Sequence, residues 1–467
     1  MIRYLDLTLA PGKSFRPGQT LMDHCMKELT LKKGFKLPLP GKPDTSIIQL
    51  KTPETVAASA ADIPYIRPRV LVKKNDPVKI GTPLFCDKRN PQIQYLSPGS
   101  GIVQDIVFGP RRRLIEVVIR LDVNEERISF DKIQHRQLED IPTSDLAVKL
   151  QQGGLWQCFR QFPSKDTADP EMTPPMIIVS LNGNDLFSPH PAAILENEIL
   201  DFFFGMALLR KFTSRVVVTA RKSSLPKLKP VHTHITHVVP DTFPAWDPGV
   251  VLYHLKTDVK ENHSWCISAE HLILMARLLL TGEYPVKRVV TVTRADDKKP
   301  HIIARQGAPI RDLAGQLDQK SVITTGRFNG RIASLDSHLG FFDTTLNIIR
   351  KGPEDEWFGF MSPGLSKPSL SNTFASSLAP RPLEHDSNFH GEERACINCG
   401  YCAKICPVDL APSFIMKSLH ADDIEDALGY GILDCCRCGL CSYVCPSKIE
   451  LAHLLSQGMD AHFKDKE

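Results

Sequence analysis

The sequence predicts a multidomain α+β protein, and three observations carry that expectation. Residues 31–125 hold short apolar runs cut by glycine and proline, residues 146–350 alternate strand-like with helical runs, and residues 393–467 repeat one cysteine spacing. A chain of 467 residues has room for about three domains. Hydrophobic residues make up 42% and charged residues 24%, as in ordinary globular proteins. Lys and Arg number 57 against 53 Asp and Glu, too even a balance to argue for nucleic acid as a partner. No run of about 18 apolar residues occurs, so no transmembrane helix is expected. Arg3, Asp6 and Lys13 interrupt the start, which does not read as a signal peptide. With thirteen cysteines, this composition points to a reducing cytoplasm.

Residues 1–30 form an N-terminal extension, either a strand-forming arm or a docking segment, with weak alternation over Tyr4–Leu9. Residues 31–125 read as all-β. The runs Val70–Phe85 and Tyr95–Ile106 resemble the lipoyl-like barrel-sandwich domain, with Gly81, Gly99 and Gly101 at its turns. A carrier of that kind needs an attachment lysine beside methionine or acidic residues, and the hairpin Cys86–Pro91 offers only Lys88. A structural barrel without a covalent cofactor is the reading adopted. Arg111–Arg113 follow a Gly-Pro turn, either as a solvated charge run or facing an acidic partner.

Residues 146–260 predict an α/β Rossmann-like domain, a parallel sheet with crossover helices. Helical runs cover Leu146–Phe159 and Pro191–Leu209, and strands Met176–Leu181, Arg215–Thr219 and Thr236–Val239. A phosphate-binding turn needs glycines between strand and helix. The stretch Asn182–Pro191 has one glycine and two prolines, and Gly153-Gly154 precede the bulky Leu155–Arg160. The sequence therefore offers little for NAD or FMN. His232, His234 and His237, with His254 and His263 nearby, have no acidic or cysteine partner at ligand spacing; they read as water-facing histidines of an edge strand rather than a metal site.

Residues 265–350 predict a β-grasp, SLBB-like domain. A helix spans Ala269–Leu280, strands span Arg288–Thr293 and Pro300–Arg305, a short helix begins in Gly307–Ala314, and Thr324–Arg331 is a glycine-punctuated loop. Residues 351–392 are a linker, with Trp357, Phe358, Phe360 and Phe374 to hold it against its neighbours.

The last unit, 393–467, carries the chemistry. Cys396, Cys399, Cys402 and Cys406-Pro407 recur as Cys435, Cys438, Cys441 and Cys445-Pro446, both in the form C-x2-C-x2-C-x3-C-P. This run holds [4Fe–4S] clusters in bacterial ferredoxins, three cysteines ligating one cluster and the fourth the other. One cluster is thus expected on Cys396, Cys399, Cys402 and Cys445, and a second on Cys435, Cys438, Cys441 and Cys406. Gly400 and Gly439 let the backbone pass close to inorganic sulfide. Zinc needs only four ligands, and a disulfide framework does not suit a reducing compartment. Cys436 reads as a packed neighbour, and Cys25, Cys86, Cys158 and Cys266 as isolated thiols. A helical stretch over Val408–Leu433 makes this an α-helical ferredoxin module.

The order of units, with Lys32–Pro38, Tyr65–Pro68, Lys88–Pro91, Gly154–Trp156, Leu280–Glu283, Trp357–Gly364 and Val444–Lys448, resembles the NqrA family of the sodium-translocating NADH:quinone reductases. The paired cysteine runs resemble the tail of the RnfC proteins of the Rnf complexes, without their glycine-rich flavin and NADH loop. The resemblance covers about residues 28–460. It implies a peripheral redox subunit on the cytoplasmic face of the inner membrane. Its partners would be the membrane subunits of an Nqr- or Rnf-type ion-translocating oxidoreductase. Two [4Fe–4S] clusters would relay electrons, and a quinone is a candidate ligand. The other readings are a scaffold or quinone-docking subunit of the same kind of complex and an NADH dehydrogenase subunit of the RnfC type.

Overall fold

The computed structural model describes residues 26–37, 47–294, 299–318, 320–328, 330–352, 364–365, 375–378, 386–387 and 392–465. The alternation over Tyr4–Leu9, Cys25, and the linker aromatics Trp357, Phe358, Phe360 and Phe374 lie outside the described residues.

The proline- and glycine-rich N-terminal part folds as two small sheets closed over one core. One contains Thr55–Ser59, Leu114–Leu121, Gly101–Phe108 and Pro77–Val78, and the other Pro68–Val70, Pro83–Asp87 and Gln94–Leu96. Val56, Leu84, Phe85, Val103, Val117 and Ile119 of these short strands are all fully buried in one apolar core. Arg111 and Arg112 form the exposed turn between two strands, both in the left-handed region. Lys88 is exposed on its hairpin, but the hairpin is not free. Arg89 binds Asp87 at 2.7 Å and Asp166 of the next unit at 2.6 Å, so the place where a carrier's arm would swing is tied down.

The second unit is a sheet in the order Lys27–Glu28, His237–Val239, Val216–Arg221, Ile177–Ser180, Trp265–Ser268, Arg160–Gln161, Asp166–Thr167. The first five strands are parallel, and the last two are antiparallel additions. Trp156, Phe159, Phe212 and Trp265 meet edge-on or tilted, with centroids 5.1–6.2 Å apart. Each such buried ring contributes about 1.5–3 kcal/mol relative to exposure.

Three expectations need correction here. The helix expected over Pro191–Leu209 is two pieces, Pro191–Ile194 and Ile199–Phe212. Asn197 takes a left-handed φ of +62° between them, a conformation asparagine tolerates and a helix does not. The run Leu146–Phe159 is helical only to Gln152, where Gly153 caps the helix; Gly154 is left-handed, and a 3-10 turn follows over Trp156–Cys158. His232 and His234 are not on a strand. They belong to the 3-10 segment Lys229–His234, whose Pro230 removes a ladder donor, and His237 alone lies on the strand.

The third sheet runs Ile332–Ala333, Ser321–Thr324, Thr345–Arg350, Lys287–Thr293, His301–Arg305, Ile47–Gln49. The helix Ile310–Ala314 covers its core of Val290, Val292, Ile302, Ile323 and Leu346. Two segments from the start of the described chain stitch the units together. Lys27–Glu28 extends the α/β sheet, and Ile47–Gln49 extends this one.

At the junction with the barrel, Gly307 has a φ of +69°, and a Cβ there would stand 1.9 Å from the Ala57 carbonyl oxygen. The obstacle is backbone and cannot swing aside. Gly307→Ala is therefore expected to destabilise by more than the roughly 1–2 kcal/mol of a left-handed alanine alone, read as a fall in the urea midpoint.

Candidate metal centre

In the cysteine-rich tail the short helix Tyr401–Ile405 ends just before Cys406, and Leu440–Tyr443 ends shortly before Cys445. The two runs adopt one backbone. Gly400 and Gly439 stand at the start of the helices Tyr401–Ile405 and Leu440–Tyr443, with φ of +74° and +81°. Asn398 and Arg437, equivalent in the two runs, both have φ of +57°. Asp409 and Lys448, each three residues after the last cysteine of its run, have φ of +54° and +58°. Left-handed non-glycine residues cost on the order of 1–3 kcal/mol each and persist where surroundings impose them. Six matched positions in this state mark a loop shaped for something it wraps.

The segment between the runs is not one helix but two, Pro412–His420 and Ile424–Gly429. Asp423 breaks and restarts it by accepting from the Asp426 N–H at 2.9 Å. The final helix, Leu451–Asp465, packs back on Pro412–His420.

The side chains bring the two runs together crosswise. Cys406 of the first run packs in one apolar group with Cys435, Cys436 and Cys438 of the second, among Val250, Val408, Ile415 and Ile432. Cys445 of the second run packs with Cys396 and Cys402 of the first, against Met416, Ile449 and Leu451. Burial pushes the Cys406 thiol up to about 12, with Cys436 and Cys435 adding to the effect. Burial, with Cys399 and Cys402 adding, also raises Cys445. Cys441 is shared. Its apolar contacts are with the Met416 group, but after burial the thiols that raise it most are Cys435, then Cys406, with Cys402 last.

Backbone N–H groups converge on the sulfurs. Val408 and Leu410 donate to Cys406, Ser447 and Ile449 to Cys445, and Arg437 to Cys435. Cys436 is buried and hydrogen-bonded to Cys438, which suits a packed neighbour. Soft thiols crowded in apolar surroundings, with N–H donors aimed at them, are the donor set and hydrogen-bonding environment of an iron–sulfur cluster. Without a cation, burial and the neighbouring thiols favour the protonated forms of Cys406, Cys435, Cys441 and Cys445. Among the described residues no three His, Cys, Asp or Glu side chains close on a point that could hold a single ion.

The two cysteine groups sit in different surroundings. Around the group containing Cys406, Cys435 and Cys438, the module is docked on the α/β unit. Lys256 pairs with Asp434 at 2.5 Å, and His254 Nε2 lies 2.9 Å from the Pro407 carbonyl oxygen. Lys33 reaches Asp409 at 2.7 Å and donates to the Ala403 carbonyl at 3.1 Å. The pair of half-buried Lys165 and buried Asp247, 3.1 Å apart, lies beside Cys436. A Cβ on Gly439 would meet Phe328 at 2.7 Å, whereas one on Gly400 would meet nothing within 4 Å. On the Gly400 side, Cys399 and Ile397 are exposed.

The other candidate positions are quieter. After the strand Ile177–Ser180 the loop satisfies itself: Asn182 Nδ2 donates to Ser224 Oγ at 2.9 Å, its Oδ1 accepts from the Arg221 N–H at 2.8 Å, and Ser180 Oγ donates to the Gly183 carbonyl at 3.1 Å. His232 Nε2 lies 2.9 Å from the Leu225 carbonyl oxygen. Cys86, Cys158 and Cys266 are buried free thiols. The sequence reading missed a cavity of about 310 Å³ lined by His190, Ala192, Leu195, Asn197, Lys227 and Val231. His190 Nδ1 accepts from the Ala192 N–H at 3.1 Å, and burial, then Lys227, lower its pKa to about 4. No spacing rule links His190 to Lys227; only the fold does.

Comparison with known proteins agrees with this division. Residues 29–122 match the family model of the NqrA N-terminal barrel-sandwich hybrid domain, residues 141–284 that of the NqrA second alpha/beta domain, and residues 395–449 that of a 4Fe-4S dicluster domain. The chain is similar to the NqrA protein of the Na(+)-translocating NADH-quinone reductase of Rhodopirellula baltica, at 30% identity over 418 residues, covering 86% of this chain and 91% of that one. It is similar to the same protein of Tolumonas auensis at 28% identity (87% and 92% covered) and of Vibrio anguillarum at 29% (87% and 92%).

Proposed function

The chain belongs to the NqrA family of the Na(+)-translocating NADH-quinone reductases, and from that premise we propose that it is a peripheral electron-relaying subunit with two [4Fe–4S] clusters. Membership makes it a subunit of an oxidoreductase complex, here with a 4Fe-4S domain at its C-terminal end. Cys396, Cys399, Cys402 and Cys445 hold one cluster, and Cys435, Cys438, Cys441 and Cys406 the other. The observation that carries this assignment is the crosswise packing of Cys406 with Cys435 and Cys438, and of Cys445 with Cys396 and Cys402.

A [4Fe–4S] cluster held by these cysteines would supply one-electron transfer, its reduction by a donor balanced by its reoxidation by an acceptor. The chain's own residues set the conditions. The cysteines hold the metal, the N–H groups of Val408, Leu410, Ser447 and Ile449 stabilise charge on sulfur, and the α/β unit excludes water from one side.

In the complex the protein sits at the cytoplasmic face of the membrane, against membrane-embedded partners. No helix among the described residues is long and apolar enough to cross a membrane. The boundaries proposed for the units are 31–125, 146–284, 285–350 and 393–467, after an extension over 1–30 and with a linker over 351–392; the strand Trp265–Ser268 and the helix Ala269–Thr281, expected in the third unit, pack with the second. The parallel core of the second unit, ordered third, second, first, fourth strand by chain position, supports a Rossmann-like assignment. The mixed sheet with its single short helix supports an SLBB-like one. The self-satisfied loop after Ile177–Ser180 gives no support to NAD or FMN. A quinone is a candidate for the His190 cavity, where a proton on Nε2 could meet a carbonyl oxygen.

Anaerobic purification with iron and sulfide analysis, followed by EPR during redox titration, tests the proposal. About eight irons per chain and two reducible centres are expected; fewer than about six irons, or no reducible centre, would reject it.

A further inference from the structure

Tyr65 belongs to the barrel and Arg437 to the second cysteine run, yet they share one hydrogen-bond network. Arg437 donates from Nη2 to the Tyr65 hydroxyl at 3.1 Å and to Asp460 Oδ1 at 2.7 Å, and the Tyr65 hydroxyl donates to Asp460 Oδ1 at 2.6 Å. Asp460 lies on the final helix Leu451–Asp465, and Phe463 of that helix meets the Tyr65 ring edge-on at 5.7 Å. Tyr65 adopts a left-handed φ of +57° to make this contact, so the surrounding structure imposes its pose.

Arg437 stands between Cys435 and Cys438, and its backbone N–H donates to the Cys435 sulfur. Its equivalent in the first run is Asn398, neutral and exposed, with the same φ of +57° and with Lys417 Nζ donating to it at 3.2 Å. The twin loops thus differ in charge at this matched position. One carries a guanidinium fixed by three elements; the other carries an amide beside a solvated lysine on a flexible stem.

We propose that Tyr65 and Asp460 are positioning residues that fix the Arg437 charge beside the Cys435–Cys441 cluster and set its potential apart from that of its twin. This rests on the two-cluster reading above. Adding an electron makes a cluster more negative, so a nearby fixed positive charge favours the reduced state and raises the midpoint. The barrel, which offers no carrier lysine in a free hairpin, would then take part in electron transfer through one side chain.

The test is EPR-monitored redox titration of the full chain, with iron counted on every sample. If the unaltered protein lacks about eight irons, the two-cluster reading fails and the network is not at issue. If it holds them, Arg437→Asn should lower the midpoint of one centre and leave the other in place. Arg437→Lys should retain most of the original value, and Asn398→Arg should raise the midpoint of the other centre. Tyr65→Phe, a change outside both ligand loops, should lower the same midpoint as Arg437→Asn by a smaller amount. Midpoints unmoved by Arg437→Asn, or both moved alike, with iron retained, would overturn the proposal. Should Arg437→Asn lose iron, Tyr65→Phe decides alone: a fall confined to one midpoint supports the proposal, and no change overturns it.

Discussion

Cys402→Ala combined with Cys445→Ala is expected to leave about four irons on the chain, whereas Cys402→Ala combined with Cys406→Ala is expected to leave almost none, as two four-iron clusters require. The first pair removes two thiolates from one cluster and spares the other. The second pair removes one thiolate from each and, if the proposed assignment holds, damages both. If instead each run held its own cluster, the two results would exchange places, which makes this pair of variants decisive. A centre with three thiolates can survive in a degraded form, so Cys402→Ala/Cys406→Ala samples are best exposed to a mild chelator before iron is counted. EPR of the surviving centre in Cys402→Ala/Cys445→Ala should match the more enclosed cluster, the one under Phe328. A loss of both centres in that variant, with the fold retained by circular dichroism, would rule out the crossed ligation.

The eight thiols were legible because their spacing is a local property. Two-residue intervals, the glycine and the closing proline define the loop whatever surrounds it. The buried strands Ile177–Ser180, Val216–Arg221 and Lys287–Thr293 were legible for a similar reason: β-branched runs bounded by turn residues announce themselves. What failed was continuity. The periodicity over Pro191–Leu209 and Val408–Leu433 is helical, but Asn197 and Asp423 break it by backbone and side-chain hydrogen-bonding choices that hydrophobic pattern does not record. His232 and His234 alternate as strand residues would, yet Pro230 makes that segment a 3-10 turn.

Long-range pairing was the harder limit. Asn398 and Asp409 are residue types that accept a left-handed backbone, so they could have been anticipated. Arg437, Lys448 and Tyr65 share that conformation without any such signal. The Tyr65–Asp460 contact spans nearly the whole chain, and nothing in either neighbourhood points to the other. The asymmetry between the two cysteine loops is likewise invisible until Phe328 is seen over Gly439.

Glu270→Ala should destabilise the fold by about 3–5 kcal/mol, the cost of leaving a buried charge without its partner. Arg288 is among the largest fully buried side chains of the protein, and its Nη2 donates to Glu270 Oε2 at 2.8 Å. The other carboxylate oxygen of Glu270 accepts from the Val289 N–H at 2.7 Å, and Arg288 Nη1 donates to the Phe341 carbonyl at 2.5 Å. Glu270 opens the helix Ala269–Thr281 of the α/β sheet, and Arg288 lies on the strand Lys287–Thr293 of the next sheet. This ion pair is one link between the two units, beside Phe341, which packs into the α/β core, and the Thr345 hydroxyl, which donates to Asp185 Oδ2 at 2.7 Å. His271, stacked on Phe341 at 5.3 Å and kept neutral by burial and by Arg288, brings no negative charge that could replace the carboxylate. Glu270→Gln, which can still accept from Val289, should cost less. Glu270→Leu with Arg288→Met, which removes both charges, should recover much of the loss. Urea unfolding followed by fluorescence of the buried Trp156 and Trp265 reads the effect. A midpoint in Glu270→Ala indistinguishable from that of the unaltered chain would show that water reaches Arg288 and that the two sheets are held by their apolar contacts instead.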